Sequence, residues 1–147
     1  MQDLHNNIKA SRGISPVTGG TGDTAFVSEI ADKAGFDSLE AVIAVGTVTD
    51  SNVTLQVLVE DGDAANLSDA AAVDDAYLLG IEGNPATPTG ASLRYDSDNK
   101  VTKIGYIGPK RYCRVTVTPT GNTGDIPISM VWLQGHPRKA PLSTQMV

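Results

Sequence analysis

The chain has 147 residues, 11 Lys and Arg against 17 Asp and Glu, a formal net charge of −6, and 40% hydrophobic but only 5% aromatic residues. That length suits one domain able to bury a core without disulfides or metals, and the single cysteine, Cys113, leaves no internal disulfide to form. The acidic balance, with bases not interleaved with several aromatics, argues against nucleic-acid binding. No window approaches the ~20 apolar residues that span a bilayer, and the opening MQDLHNNIKASRG lacks the apolar centre of a signal peptide.

Residues 1–23 are polar, rich in Gly, Ser, Thr and Asn, and aperiodic. They read as an extended N-terminal arm with little core of its own. Its apolar residues Leu4, Ile8, Ile14 and Val17 either dock on a neighbour or belong to a loose terminus. A first strand is expected at 24–30, TAFVSEI, and a second at 38–46, SLEAVIAVG. In the second, Leu39, Ala41, Ile43 and Val45 share one face, while Val42 and Ala44 suggest that the other face is partly covered too. Asp50-Ser51-Asn52 is a turn of the kind that bonds side chain to backbone. It leads into 53–60, VTLQVLVE, the clearest alternation in the chain, and the two strands read as a hairpin.

Residues 61–80 are rich in Ala, with either a short helix near 68–72 capped by Ser68 or Asp69, or an irregular loop. The stretch 81–90, IEGNPATPTG, is loop chemistry. Strands at 91–95 and 101–107 flank the turn DSDNK. Gly108-Pro109 turns the chain into a strand at 111–118, where Cys113, Val115 and Val117 alternate with Tyr112, Arg114 and Thr116. A last strand at 126–133 puts Ile126, Ile128, Met130 and Trp132 on one face, and residues 136–147 form an extended tail. About seven strands separated by turns predict a mainly β domain over 24–135, a β-sandwich or a Greek-key, jelly-roll-like barrel. Its core-facing set is Leu55, Val57, Val59, Cys113, Val115, Val117, Ile128 and Met130.

Catalytic patterns are missing. His5 and His136 are not spaced with other ligands as a zinc site requires, no G-x-S-x-G elbow or phosphate loop is present, and Cys113 points with the valines. The acids Asp61, Asp63, Asp74 and Asp75 are most simply solvated. The expectation is a binding or structural protein rather than an enzyme, with no cofactor and no metal. Charge is distributed unevenly: residues 1–99 hold sixteen acids and four bases, and residues 100–147 hold seven bases and one acid. Either the charges are solvated on opposite faces of one fold, or they mark complementary contact between copies or with another acidic surface. Tyr106, Lys110, Arg111, Tyr112 and Arg114 combine rings with cationic heads. They could contact acidic partners or form a ladder across the sheet within one subunit.

The run Gly105-Tyr106-Ile107-Gly108-Pro109-Lys110-Arg111-Tyr112-Cys113-Arg114-Val115, a following T-x-T-G turn and Gly135-His136-Pro137-Arg138 resemble a group of small structural proteins of tailed bacteriophages. So does the passage from Gly35-Phe36-Asp37-Ser38-Leu39 to Val59-Glu60-Asp61. The resemblance covers roughly residues 24–140 and carries no active-site motif. It implies a virion protein, assembled in the host cytoplasm, that decorates the outer capsid surface as cement. It also implies the major capsid protein as partner and a homo-oligomer, a trimer before other states. Candidate contact residues are Ile8, Ile14, Val17, Tyr106, Lys110, Arg111, Tyr112, Arg114 and Arg138. The alternatives are a head–tail joining or tail component, or a carbohydrate-binding β-sandwich using Trp132 or a Tyr as its platform.

Overall fold

The computed structural model describes residues 3–80, 93–94 and 97–142. The expected loop at 81–90, and all but Leu93 and Arg94 of the expected strand at 91–95, lie outside the described residues. The strands are β1 (Ile8–Val17), β2 (Phe26–Val27), β3 (Ala31–Asp32), β4 (Phe36–Val45), β5 (Thr54–Gly62), β6 (Ala71–Ala72), β7 (Leu78–Gly80), β8 (Leu93–Arg94), β9 (Val101–Tyr106), β10 (Tyr112–Thr120) and β11 (Ile128–Pro137). They form two antiparallel sheets. One has the order β1-β11-β4-β9-β7; the other runs β2-β10-β5-β6, with β3 also pairing β10 and β8 also pairing β5. The chain is a β-sandwich.

Period-two alternation builds the core. On one inner face lie Leu39, Ala41, Ile43, Ile104, Ile128, Met130 and Trp132, and on the other Leu55, Val57, Val59, Cys113, Val115 and Val117, none more than 2% exposed. The core-facing set expected from the sequence is buried in full. With few aromatics, this core is filled by branched aliphatic side chains, which suit pleated strands. Trp132 belongs to it, so it offers no platform to a sugar.

One connection differs from expectation. The segments read as a hairpin, β4 and β5, do not pair: β4 lies between β11 and β9, and β5 between β10 and β6. The link between them crosses from one sheet to the other. Val48 and Val53 drop into the core there, and Asp50 ties the arch. Its carboxylate accepts from Asn52 N at 2.8 Å, as the turn chemistry predicted, and also from Thr123 N at 2.7 Å and Thr123 Oγ1 at 2.8 Å. Of the two readings near 68–72, a short helix or an irregular loop, the chain takes the second, a turn followed by the short strand β6. There Asp69 accepts from the backbone N–H of Asp63 and Ala64, at 2.8 and 3.1 Å.

The larger correction concerns the N-terminal arm. Residues 8–17 are a ten-residue strand, β1, paired with β11 from Ile8↔Gly135 to Val17↔Ile128, with bulges around Gly13. Ile14 is buried, at 6% exposure. Polar sequence and irregular spacing hid this strand, because an edge strand with two register shifts breaks its own alternation. At the bulge a Cβ on Gly13 would sit 2.6 Å from Met130 Cε and 3.1 Å from Met130 O, so Met130 would have to shift to admit it.

Candidate docking surface

Pairing across the sheets decides which side chains share an outer face, since directly opposed residues point the same way. Across the first sheet one row reads Ala10, Leu133, Glu40, Gly105 and Leu79; the next reads Arg12, Val131, Val42 and Lys103; a third reads Ser129, Ala44 and Val101. Ile8 stands on the same face opposite Gly135. Most of these groups are apolar, and Val101, Leu79 and Val131 are 67%, 54% and 40% exposed. At one corner Leu4, His5, Ile8 and Ala10 line a shallow depression of about 470 Å³.

The outer face of the second sheet is different. Its rows pair Thr120 with Thr54, Thr118 with Gln56, Thr116 with Leu58 and Arg114 with Glu60. That surface carries hydroxyls, an amide and an ion pair, and beside Leu58 also Val27, the other register partner of Thr116, which is 53% exposed. The outer face of the second sheet is thus mainly polar and that of the first richer in apolar groups, with Arg12, Glu40 and Lys103 standing among them, and clustered exposed apolar side chains on a small domain mark a candidate interaction surface.

The candidate contact residues divide. Ile8 lies on the apolar face, and Val17, at the far end of β1, is 40% exposed. Ile14 and Tyr106 are buried, at 6% and 2% exposure, so neither meets a partner. Tyr106 spans the sandwich: its hydroxyl donates to Asp61 Oδ2 at 2.6 Å and accepts from Lys110 N at 2.9 Å. Burial and the Asp61 hydrogen bond push its phenol far up. The ring also lies under Lys33, whose Nζ is 4.9 Å from its centroid.

The basic heads are taken up inside the chain. Arg111 makes a two-point contact with Asp32, Nε–Oδ1 and Nη2–Oδ2 both 2.8 Å, and stacks on Tyr112 at 4.9 Å. Arg114 Nη2 lies 2.7 Å from Glu60 Oε2, Arg138 Nε lies 3.0 Å from Asp37 Oδ1, and Lys110 pairs with Asp63. Each of these four pairs joins a base of the C-terminal third to an acid of the N-terminal two thirds. Four of the seven bases of residues 100–147 are thus neutralised locally when the halves fold together.

The residues that sequence reasoning missed are Val42, Val101, Val131 and Leu133. One signal pointed to them: Val42 and Ala44 of β4 are apolar on the side away from the core, although no element among the described residues covers that side as expected. Among the described residues no group of three or more His, Cys, Asp and Glu is placed to hold a metal ion. No helix among them is long and apolar enough to cross a membrane.

No family model matches the chain. No curated protein is similar to it in sequence. Solved structures of similar shape include a chain from the capsid of Ralstonia phage GP4, 12% identical, covering 95% of this chain and 90% of that one at a TM-score of 0.45. Another is the SPBc2 prophage-derived protein YomS, 12% identical over 86% and 93% of the two chains, TM-score 0.41. A third is the xylan-binding module CBM15, 15% identical over 93% and 95%, TM-score 0.39. These are distant likenesses from which no function is transferred.

Proposed function

We infer that this protein is a non-enzymatic virion structural protein of a tailed bacteriophage that docks on the outer surface of the capsid and stabilises it. The observation that carries the reading is the asymmetry of the sandwich: one outer face mainly hydroxylated and charge-paired, the other richer in apolar groups, with Val101, Leu79 and Val131 open to solvent. A decoration protein needs such a one-sided molecule, with one face to exclude water against the shell and the other to face the medium. Its action is by mass action alone. A ligand that binds only the assembled shell stabilises it by about 2.7 kcal/mol per site at a hundredfold excess over its Kd. Self-association, a trimer before other states, uses part of the same face, and sedimentation velocity at micromolar concentration should show a species heavier than the monomer.

Quantitative mass spectrometry of purified virions tests the role. Hundreds of copies per particle mark a decoration protein. A few to a dozen copies mark a head–tail joining or tail component instead, and absence from the particle removes the virion reading altogether.

A further inference from the structure

Away from the apolar face, a groove of about 520 Å³ opens at the edge of the sandwich where the two sheets part. One wall is β1, with Lys9, Ser11 and Arg12; the other is the chain at 29–32, with Glu29 and Asp32; the floor is Gln134. The groove is closed at one end, where Glu29 N donates to Gly13 O at 2.9 Å. At the other end Gln134, the register partner of Lys9, donates its Nε2 to Asp32 O at 2.6 Å. Between these points it runs about four strand residues, roughly 13 Å at about 3.3 Å per residue.

Three features of the groove select its occupant. Because β1 ends its sheet among the described residues, alternate residues of 8–12 turn their backbone N–H and C=O away from β11, unpaired by any strand of the described residues. Beyond Arg12 the bulges and Pro16 break this edge, so pairing is open only along the groove. Gln134 is 2% exposed, and with its Nε2 committed to Asp32, its carbonyl oxygen has no partner among the described residues. A buried acceptor of that kind calls for a donor. Finally, Arg12 is paired with Glu29 at 3.2 Å, and Asp32 with Arg111, so Lys9, whose charge acts on Asp32 without a direct bond, is the cation of the groove outside an ion pair among the described residues.

We propose that this groove takes a short extended peptide segment of the shell protein, added as a strand to the edge of β1, with an acidic side chain opposite Lys9. Backbone pairing supplies the affinity of such strand addition, and flanking side chains supply its selectivity. A backbone N–H of the segment would satisfy Gln134. The proposal deepens the docking role above and rests on it: the apolar face gives area, and the groove gives register.

The test is site-specific photo-crosslinking in assembled particles, with a benzoylphenylalanine at Ile30, which lines the groove and is 36% exposed. A second probe sits at Val101 on the apolar face. The expected result is an adduct from Ile30 to one contiguous acidic segment of the shell protein, its yield reduced about tenfold by Lys9→Glu, as loss and reversal of one close charge pair predicts. An adduct from Val101 with none from Ile30 overturns the groove and leaves the docking role standing. An Ile30 adduct to a second copy of this chain, or a yield unmoved by Lys9→Glu, overturns the stated occupant. No adduct from either probe, with the protein absent from particles, overturns both readings.

Discussion

The hydroxyl of Tyr106 sits between Asp61 Oδ2 and Lys110 N and so joins β9 of one sheet to the end of β5 in the other. Tyr106→Phe keeps the ring but strands a carboxylate oxygen and a backbone N–H. It should lower stability by roughly 1–3 kcal/mol, read as a lower urea midpoint at unchanged slope. Gly108 is fixed by the same ring: a Cβ there would sit 2.5 Å from three of its atoms. Beside it, burial and the nearby Asp61 push the Cys113 thiol up to about 12, so at pH 8 it stays protonated and unreactive. A thiol reagent should label Cys113 only in denaturant, and labelling of the native protein would contradict its burial. Residue types were legible in the sequence here, but roles were not. A Tyr among Lys and Arg reads as surface chemistry, and only the register across two sheets shows that it points inward.

Several carboxylates set the acid limit of the fold. Asp50 is held below the usual range by backbone hydrogen bonds from Asn52 and Thr123, Asp69 by those from Asp63 and Ala64, and Asp32 first by its bond with Arg111. A carboxylate with a depressed folded-state pKa contributes stability that is complete above its unfolded value, about 3.9, and lost as pH falls through the folded value. The urea midpoint should therefore hold from pH 7 to about pH 5 and fall below about pH 4. Asp50→Asn should flatten that fall.

At the scale of elements, β1 changes the account most. An arm could be deleted without unfolding the domain, but β1 covers the edge of β11, and Ile14 enters the core. Deleting residues 1–20 should abolish the cooperative thermal transition. A truncated chain that melts as sharply as the full one would show β1 to be dispensable. The central strands were legible because alternation survives where both neighbours are present: β5, β10 and β11 carry the buried set read from the sequence. The arch from β4 to β5 was not legible, since a short polar turn between two strands looks the same whether the chain folds back within a sheet or crosses to the opposite one. The ion pairs were half legible: a ladder across the sheet within one subunit was one of the two readings of the basic strand, and Arg114 opposite Glu60 is a rung of it. Arg114→Glu would place a carboxylate against Glu60, whose side chain is only 18% exposed. Reversal there should destabilise the fold itself, with Glu60→Arg in the same chain restoring it.

At the scale of the whole molecule, the two outer faces carry the function proposed here. Alternation marks which side of a strand is buried but not what meets the opposite side, so the apolar outer face was visible in the sequence only as the doubly apolar pattern of β4. The measurement that tests the account most directly is capsid occupancy by gel densitometry for the native chain, a Val101→Asp, Val131→Asp double variant, and a Thr116→Asp, Thr118→Asp control on the polar face. All four positions lie outside the core, so all three proteins should share one urea midpoint. The apolar-face variant should be lost from the shell while the control binds like the native chain. Full occupancy by the Val101→Asp, Val131→Asp variant, or loss of the Thr control instead, would contradict the account.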